Sequence, residues 1–162
     1  MKKQPTSRLC FVCGESNPAG VHVRFYEQED GSVLARFTGQ EHHQGYPGRM
    51  HGGVFTAIMD ETMGRAIMIP HPAGTGLRGE TVWGVTAELN LRFRRPVPLG
   101  VELIAAGRIV SENARFFEGR GELYLPDGTV AVEGTGKYIK LDISKIGNFD
   151  PVREQWGVRP DR

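Results

Sequence analysis

A histidine, two glycines and an acid carry the most chemistry in this chain: Arg49-Met50-His51-Gly52-Gly53 runs into Val54-Phe55-Thr56-Ala57-Ile58-Met59-Asp60-Glu61. Paired glycines let the backbone turn tightly and let a ligand approach it without obstruction. The first N–H groups of a helix that they open lack intrahelical acceptors and sit at the positive end of its dipole. Such amides favour anions, so Gly52, with Gly53 close by, is a candidate donor to a developing oxyanion. Asp60 follows two turns later, with Thr56, Ala57, Met63 and Gly64 as helical neighbours. None of these is a cation, and burial without one raises a carboxyl pKa, which suits a base. The plainer alternative is a buried Asp hydrogen-bonded to backbone or to a partner subunit. Glu61 has Arg65 four residues on, the order that favours an ion pair, and contact with substrate is its other reading.

The positioning element is a helix from Gly52 to about Ile69, stopped by Pro70 and Pro72 and apolar almost all round. A helix of that composition is buried on most of its circumference. Two-residue alternation predicts a hairpin, Val21 to Tyr26 and Ser32 to Phe37 about the Asp30-Gly31 turn. After the helix, residues 72–80 are Gly- and Pro-rich and read as a mobile connection near the pocket mouth. Strands then resume at Val82 to Phe93, Glu102 to Val110, Arg115 to Leu125 and Thr129 to Leu141, as an antiparallel meander. Two strands, one long helix and four strands make an α+β order in which the sheet must curl round the helix. Residues 1–20 read as an N-terminal segment, 21–141 as the domain, and 142–162 as a loosely attached tail.

His51-Gly52-Gly53 with Asp60 nine positions after the histidine resembles the active-site helix of hotdog-fold acyl-CoA thioesterases of the phenylacetate-pathway type and the related 4-hydroxybenzoyl-CoA group. Gln44-Gly45-Tyr46-Pro47-Gly48 looks like the loop of one subgroup, and the resemblance spans about residues 10–141. It implies a hotdog fold, a curved antiparallel sheet around a long central helix, and a homodimer sharing a continuous sheet with active sites at its interface. Assembly into a dimer of dimers, a homotetramer, stays open. By position, Asp60 is the general base or nucleophile and Gly52 the oxyanion donor. Thr86 falls where relatives place a hydroxyl that orients water. Relatives also carry an Asn or Gln before the His-Gly-Gly; the matching position here is Gly45, with Gln44 adjacent. His51 takes a structural or substrate-orienting role in this pattern. The phosphates of CoA call for cations; Arg92, Arg94 and Arg95 are the densest cluster and Arg49 a second candidate, although alternating strand arginines also suit a solvated face. The expected activity is hydrolysis of an acyl-CoA without a cofactor. The alternatives are a hotdog hydratase or dehydratase, kept open by His51, and a non-catalytic acyl-CoA-binding protein.

Cys10-Phe11-Val12-Cys13-Gly14 holds the only cysteines. Tetrahedral zinc needs four ligands, and with no second cysteine pair it would require His22, His42, His43 or another subunit. A redox pair belongs at a strand-to-helix junction, whereas here the turn Asn17-Pro18-Ala19-Gly20 follows. The reading adopted is packing: Cys10 and Phe11 cover the sheet, Gly14 turns the chain, and no metal is expected. At 162 residues, 39% hydrophobic and with net charge +1, the chain suits one globular domain and excludes a polybasic nucleic-acid binder or a disordered tail. No apolar run reaches membrane-span length, and the polar residues after Met1-Lys2-Lys3 do not form a signal region, so no membrane partner and a cytoplasmic location are expected.

Overall fold

Alternating apolar residues put one face of the longer strands against a single helix. The computed structural model describes residues 1–161. Its strands are β1 (Lys2–Lys3), β2 (Arg24–Glu27) and β3 (Val33–Thr38), followed by helix α1 (Gly52–Gly64). After α1 come β4 (Val82–Phe93), β5 (Glu102–Glu112), β6 (Phe116–Tyr124) and β7 (Val130–Asp142). They form one antiparallel sheet in the order β1-β2-β3-β5-β6-β7-β4, the α+β architecture expected of a hotdog domain.

The sheet wraps α1 closely. Ile58, Met59 and Met63 are fully buried, and Val33, Ala35 and Phe37 point inward from alternate positions of β3. At the crossing, backbone meets backbone: a Cβ on Gly107 would stand 2.7 Å from the Thr62 carbonyl oxygen, so only glycine fits there. Among the described residues no helix is long and apolar enough to cross a membrane.

Four expectations change. The α-helix ends at Gly64, and Arg65–Met68 form a tighter 3-10 turn as Arg65 swings under the N-terminal segment. β4 pairs with β7 and not with β5, so the four late strands are no simple meander. The Pro-rich stretch after β4 instead passes beneath the start of α1, where Met50 N–H donates to the Val97 carbonyl at 2.8 Å. The connection 72–80 is tethered: Arg78 pairs with Glu112 at 2.5 Å, and the buried Lys140 ammonium reaches both Glu112 and the Thr75 carbonyl. The C-terminal residues are not loose either. Thr6 and Gly157 form a backbone bridge, Arg8 N–H donates to the Glu154 carbonyl at 2.7 Å, and Trp156 packs 5.1 Å from the Trp83 ring.

Candidate active site

His51 adopts extended backbone and caps α1: Gly53 N–H donates to its Nδ1 at 2.9 Å. That ring nitrogen is therefore an unprotonated acceptor and is committed to the cap. The Gly52 N–H has no protein acceptor among the described residues. Of the two glycines, Gly52 alone thus offers a free donor at the positive end of the helix. The histidine is held from behind, its own N–H donating to the His43 carbonyl at 2.8 Å. His43 is an interior residue and does not approach the cysteine pair as a ligand. It is buried, Nδ1 accepts the Gln40 N–H, Nε2 meets the Ala19 carbonyl, and burial lowers its pKa.

The other end of α1 differs. Asp60 is half-buried, and the Thr86 hydroxyl donates to its two carboxylate oxygens at 2.9 and 3.1 Å. Tyr138, stacked on Phe117 and fully inside, donates its hydroxyl to the Asp60 backbone carbonyl at 3.0 Å. Burial raises the Asp60 pKa, and the hydrogen bond from Thr86 counters part of that rise. A cavity of about 340 Å³ lies over the carboxylate, walled by Met68, Trp83, Thr86 and Trp156 together with Cys10, Cys13 and Glu61.

Within one chain these features do not share a pocket. Gly52 and Asp60 are eight residues apart, about 12 Å along a helix axis. Gly52 opens instead on a separate cavity of about 700 Å³ with Gly45, Arg49, His51, Phe55, Phe93, Arg94 and Arg95. β4 connects the two. Trp83, Gly84 and Thr86 near its start wall the acid cavity; its last residue, Phe93, walls the glycine cavity. Between them its outer edge is unpaired, and residues 85–88 are all exposed.

Residues 47–132, more than half of the chain, match the family model described as thioesterase superfamily. The chain belongs to the thioesterase superfamily. It is similar to the acyl-coenzyme A thioesterase THEM4 of Bos taurus (30% identical over 125 residues, 76% of this chain and 47% of that one). The Mus musculus protein of the same name is 27% identical over 125 residues, 76% of this chain and 50% of its own. The chain thus spans about half the length of the curated relatives it matches. Among solved structures, the thioesterase superfamily protein RHA08564 aligns with TM-score 0.69 and 31% identity over 81% of this chain and 63% of that one. The BH2602 protein from Bacillus halodurans, solved with CoA, aligns with TM-score 0.63 and 24% identity over 79% of this chain and 80% of that one.

On this thioesterase-superfamily fold the remaining sequence candidates separate. Arg49 and Arg95 are exposed at the glycine cavity, as is Arg94, which is also paired with Glu133 at 2.6 Å. Arg92 lies elsewhere, in a shallow groove with Arg120 and Glu133. Gly45 reaches the glycine cavity, while the Gln44 side chain turns back to accept the Gly48 N–H at 3.0 Å. Glu61 lines the acid cavity with both oxygens engaged, Oε1 by Arg65 at 2.7 Å and Oε2 by the Cys10 thiol at 3.4 Å.

The cysteines do more than pack. Phe11 is exposed, and Cys13 is the residue that turns inward, where its sulfur accepts from the Arg65 guanidinium at 3.2 Å. The neighbouring Cys10 thiol raises the Cys13 thiol, which burial and the charge of Glu61 push up further, whereas the proximity of Cys13 lowers Cys10. Sequence reasoning missed Tyr138, Trp83 and Trp156 at the acid end. Tyr138 is visible only as an inward position in the β7 alternation, and the two tryptophans meet across 73 residues of chain, beyond any local pattern.

Proposed function

We propose that the protein is an acyl-CoA thioesterase that acts as a homodimer, with Asp60 of one copy working against the partner's Gly52. One observation carries this reading: two incomplete half-sites stand at opposite ends of the same exposed edge strand. A long unpaired edge invites pairing with another chain. If two β4 edges pair antiparallel about a twofold axis, the beginning of each strand faces the end of the other. The Thr86 end then meets the partner's Phe93 end, and the acid cavity joins the glycine cavity.

In the joined site the Asp60 carboxylate activates water or attacks the thioester carbonyl itself, with the Thr86 hydroxyl fixing its orientation. As the carbonyl oxygen becomes negative, the free Gly52 N–H stabilises it. One such donor contributes about 3 kcal/mol to the transition state. Collapse of the tetrahedral intermediate expels CoA as a thiolate, a leaving group that needs little acid help. Arg49, Arg94 and Arg95 face the side on which the phosphates of CoA would lie. The apolar walls from Met68, Trp83 and Trp156 receive the acyl group. The acyl-CoA thioesterase names of the relatives and the CoA in the BH2602 structure support this substrate class.

The test is thiol release from short, long and aromatic acyl-CoA esters. The native protein hydrolyses at least one of them, and Asp60→Asn lowers turnover by about 100-fold or more while its melting temperature stays near that of the native chain. Unchanged turnover in Asp60→Asn overturns the assignment.

A further inference from the structure

We propose that Cys10, Cys13 and Glu61 form a binding site for a thiophilic divalent cation of the zinc class, its fourth coordination position open to the Asp60 cavity. The histidines that could have completed the pair, His22, His42 and His43, are not part of the cluster. The fold supplies the third ligand from α1, 48 residues beyond Cys13. The two sulfurs and a Glu61 carboxylate oxygen all lie within 4.8 Å of one another. Cys10 Sγ and Glu61 Oε2 are 3.4 Å apart, close to the separation of about 3.6 Å between two ligands on a tetrahedral zinc with ordinary Zn–S and Zn–O bonds.

Both sulfurs already have N–H donors. The Cys13 N–H donates to Cys10 Sγ at 3.3 Å, and the Arg65 guanidinium donates to Cys13 Sγ, so each sulfur already accepts an N–H. Outer hydrogen bonds of this kind orient metal ligands and hold their charge. Arg65 occupies Glu61 Oε1 and leaves Oε2 facing Cys10. The turn is tight, since a Cβ on Gly14 would lie 2.6 Å from the Cys10 backbone nitrogen and oxygen.

Charge balances as well. Glu61 and Arg65 cancel when both thiols are neutral, and a divalent cation displacing the two thiol protons keeps the cluster at zero despite the nearby guanidinium. All three ligands line the cavity over Asp60, which leaves a face for water or substrate. Three protein ligands with one open position is the pattern of a reactive zinc site, whereas closed structural sites use four.

The test uses the full chain, reduced and stripped with a chelator, then titrated with Co²⁺ as a spectroscopic stand-in. One equivalent is expected to give a thiolate-to-cobalt charge-transfer band, release two protons, protect both thiols from a thiol reagent and raise the melting temperature. Cys10→Ser and Cys13→Ser each lose that band. Glu61→Gln weakens Co²⁺ binding about tenfold or more, with circular dichroism checking its fold. The proposal is overturned if stoichiometric Co²⁺ produces no thiolate band, if Glu61→Gln binds as tightly as the native chain, or if the cysteines simply form a disulfide and bind no metal once reduced. Because the readout is optical, loss of the hydrolase reading would leave it standing.

Discussion

At its glycine end α1 opens on a broad, cation-lined hollow with an unsatisfied N–H, whereas at its acid end the same helix is roofed by both termini and its carboxylate is already hydrogen-bonded. The difference is one of desolvation. A carboxylate gains basicity by losing water, so Asp60 requires a wall, and the N-terminal segment, Trp83 and Trp156 provide it. A backbone N–H needs only to be left unpaired at a helix start, and Gly52 achieves this where Gly53, capped by His51, does not. The two ends lie about 12 Å apart along one helix, and the dimer proposed above is what brings one chain's acid end to the partner's glycine end.

After the loss at Asp60, the next largest effect is expected at the other end. Gly52→Pro deletes the free N–H while keeping the helix, because proline is accommodated at the first helical position and His51 already has the extended backbone that a following proline requires. Turnover should fall about 100-fold with KM little changed, as stopped-time thiol release would show. If the variant folds and retains its kcat, the donor is not Gly52.

Charge on the glycine side sharpens the contrast further. Arg49→Ala and Arg95→Ala should each raise KM for acyl-CoA several-fold with kcat nearly constant, and added salt should shrink the difference. Arg92→Ala, in its separate groove, serves as the control and should leave KM unmoved. Equal effects at all three positions would mean that the phosphates run along β4 and not into the hollow.

The smallest effect concerns the clamp behind the acid end. Burial alone would raise the Glu112 carboxyl, but Arg78 and Lys140 outweigh it and hold its pKa at about 2. A carboxylate depressed in the folded state stabilises fully above its unfolded pKa of about 4.3, and that contribution disappears as pH falls toward the folded value. Glu112→Gln should therefore be less stable than the native chain at neutral pH, with the gap closing between about pH 4.5 and pH 2 in denaturant titrations. A gap that stays constant across that range would show that the cluster contributes packing and not charge.

Much of this was legible in the residues themselves. The helix start and the strand runs came from alternation and glycine placement, and family spacing singled out Asp60 and Thr86 without their hydrogen bond, all of these signals acting over short stretches or fixed offsets. What escaped is long-range. Which edge β4 occupies depends on competition among four strands that read alike, so its pairing with β7 has no local signal. The role of Tyr138 depends on its ring stacking on Phe117 beneath the helix, and that of Glu61 on a cysteine turn carried in from the N-terminal segment. The tail read as loosely attached because its charges and prolines masked a single tryptophan that packs against Trp83. A periodic pattern reports which side of an element is buried, not what lies against it.

Subunit complementation tests the shared site most directly. Asp60→Asn and Gly52→Pro proteins, each nearly inactive, are unfolded together and refolded as a mixture. Random pairing makes half of the dimers mixed, and each mixed dimer holds one intact site, so activity should return to about a quarter of the native value. If the mixture stays as inactive as its two components although mixed dimers form, Asp60 and Gly52 do not serve one site across the interface.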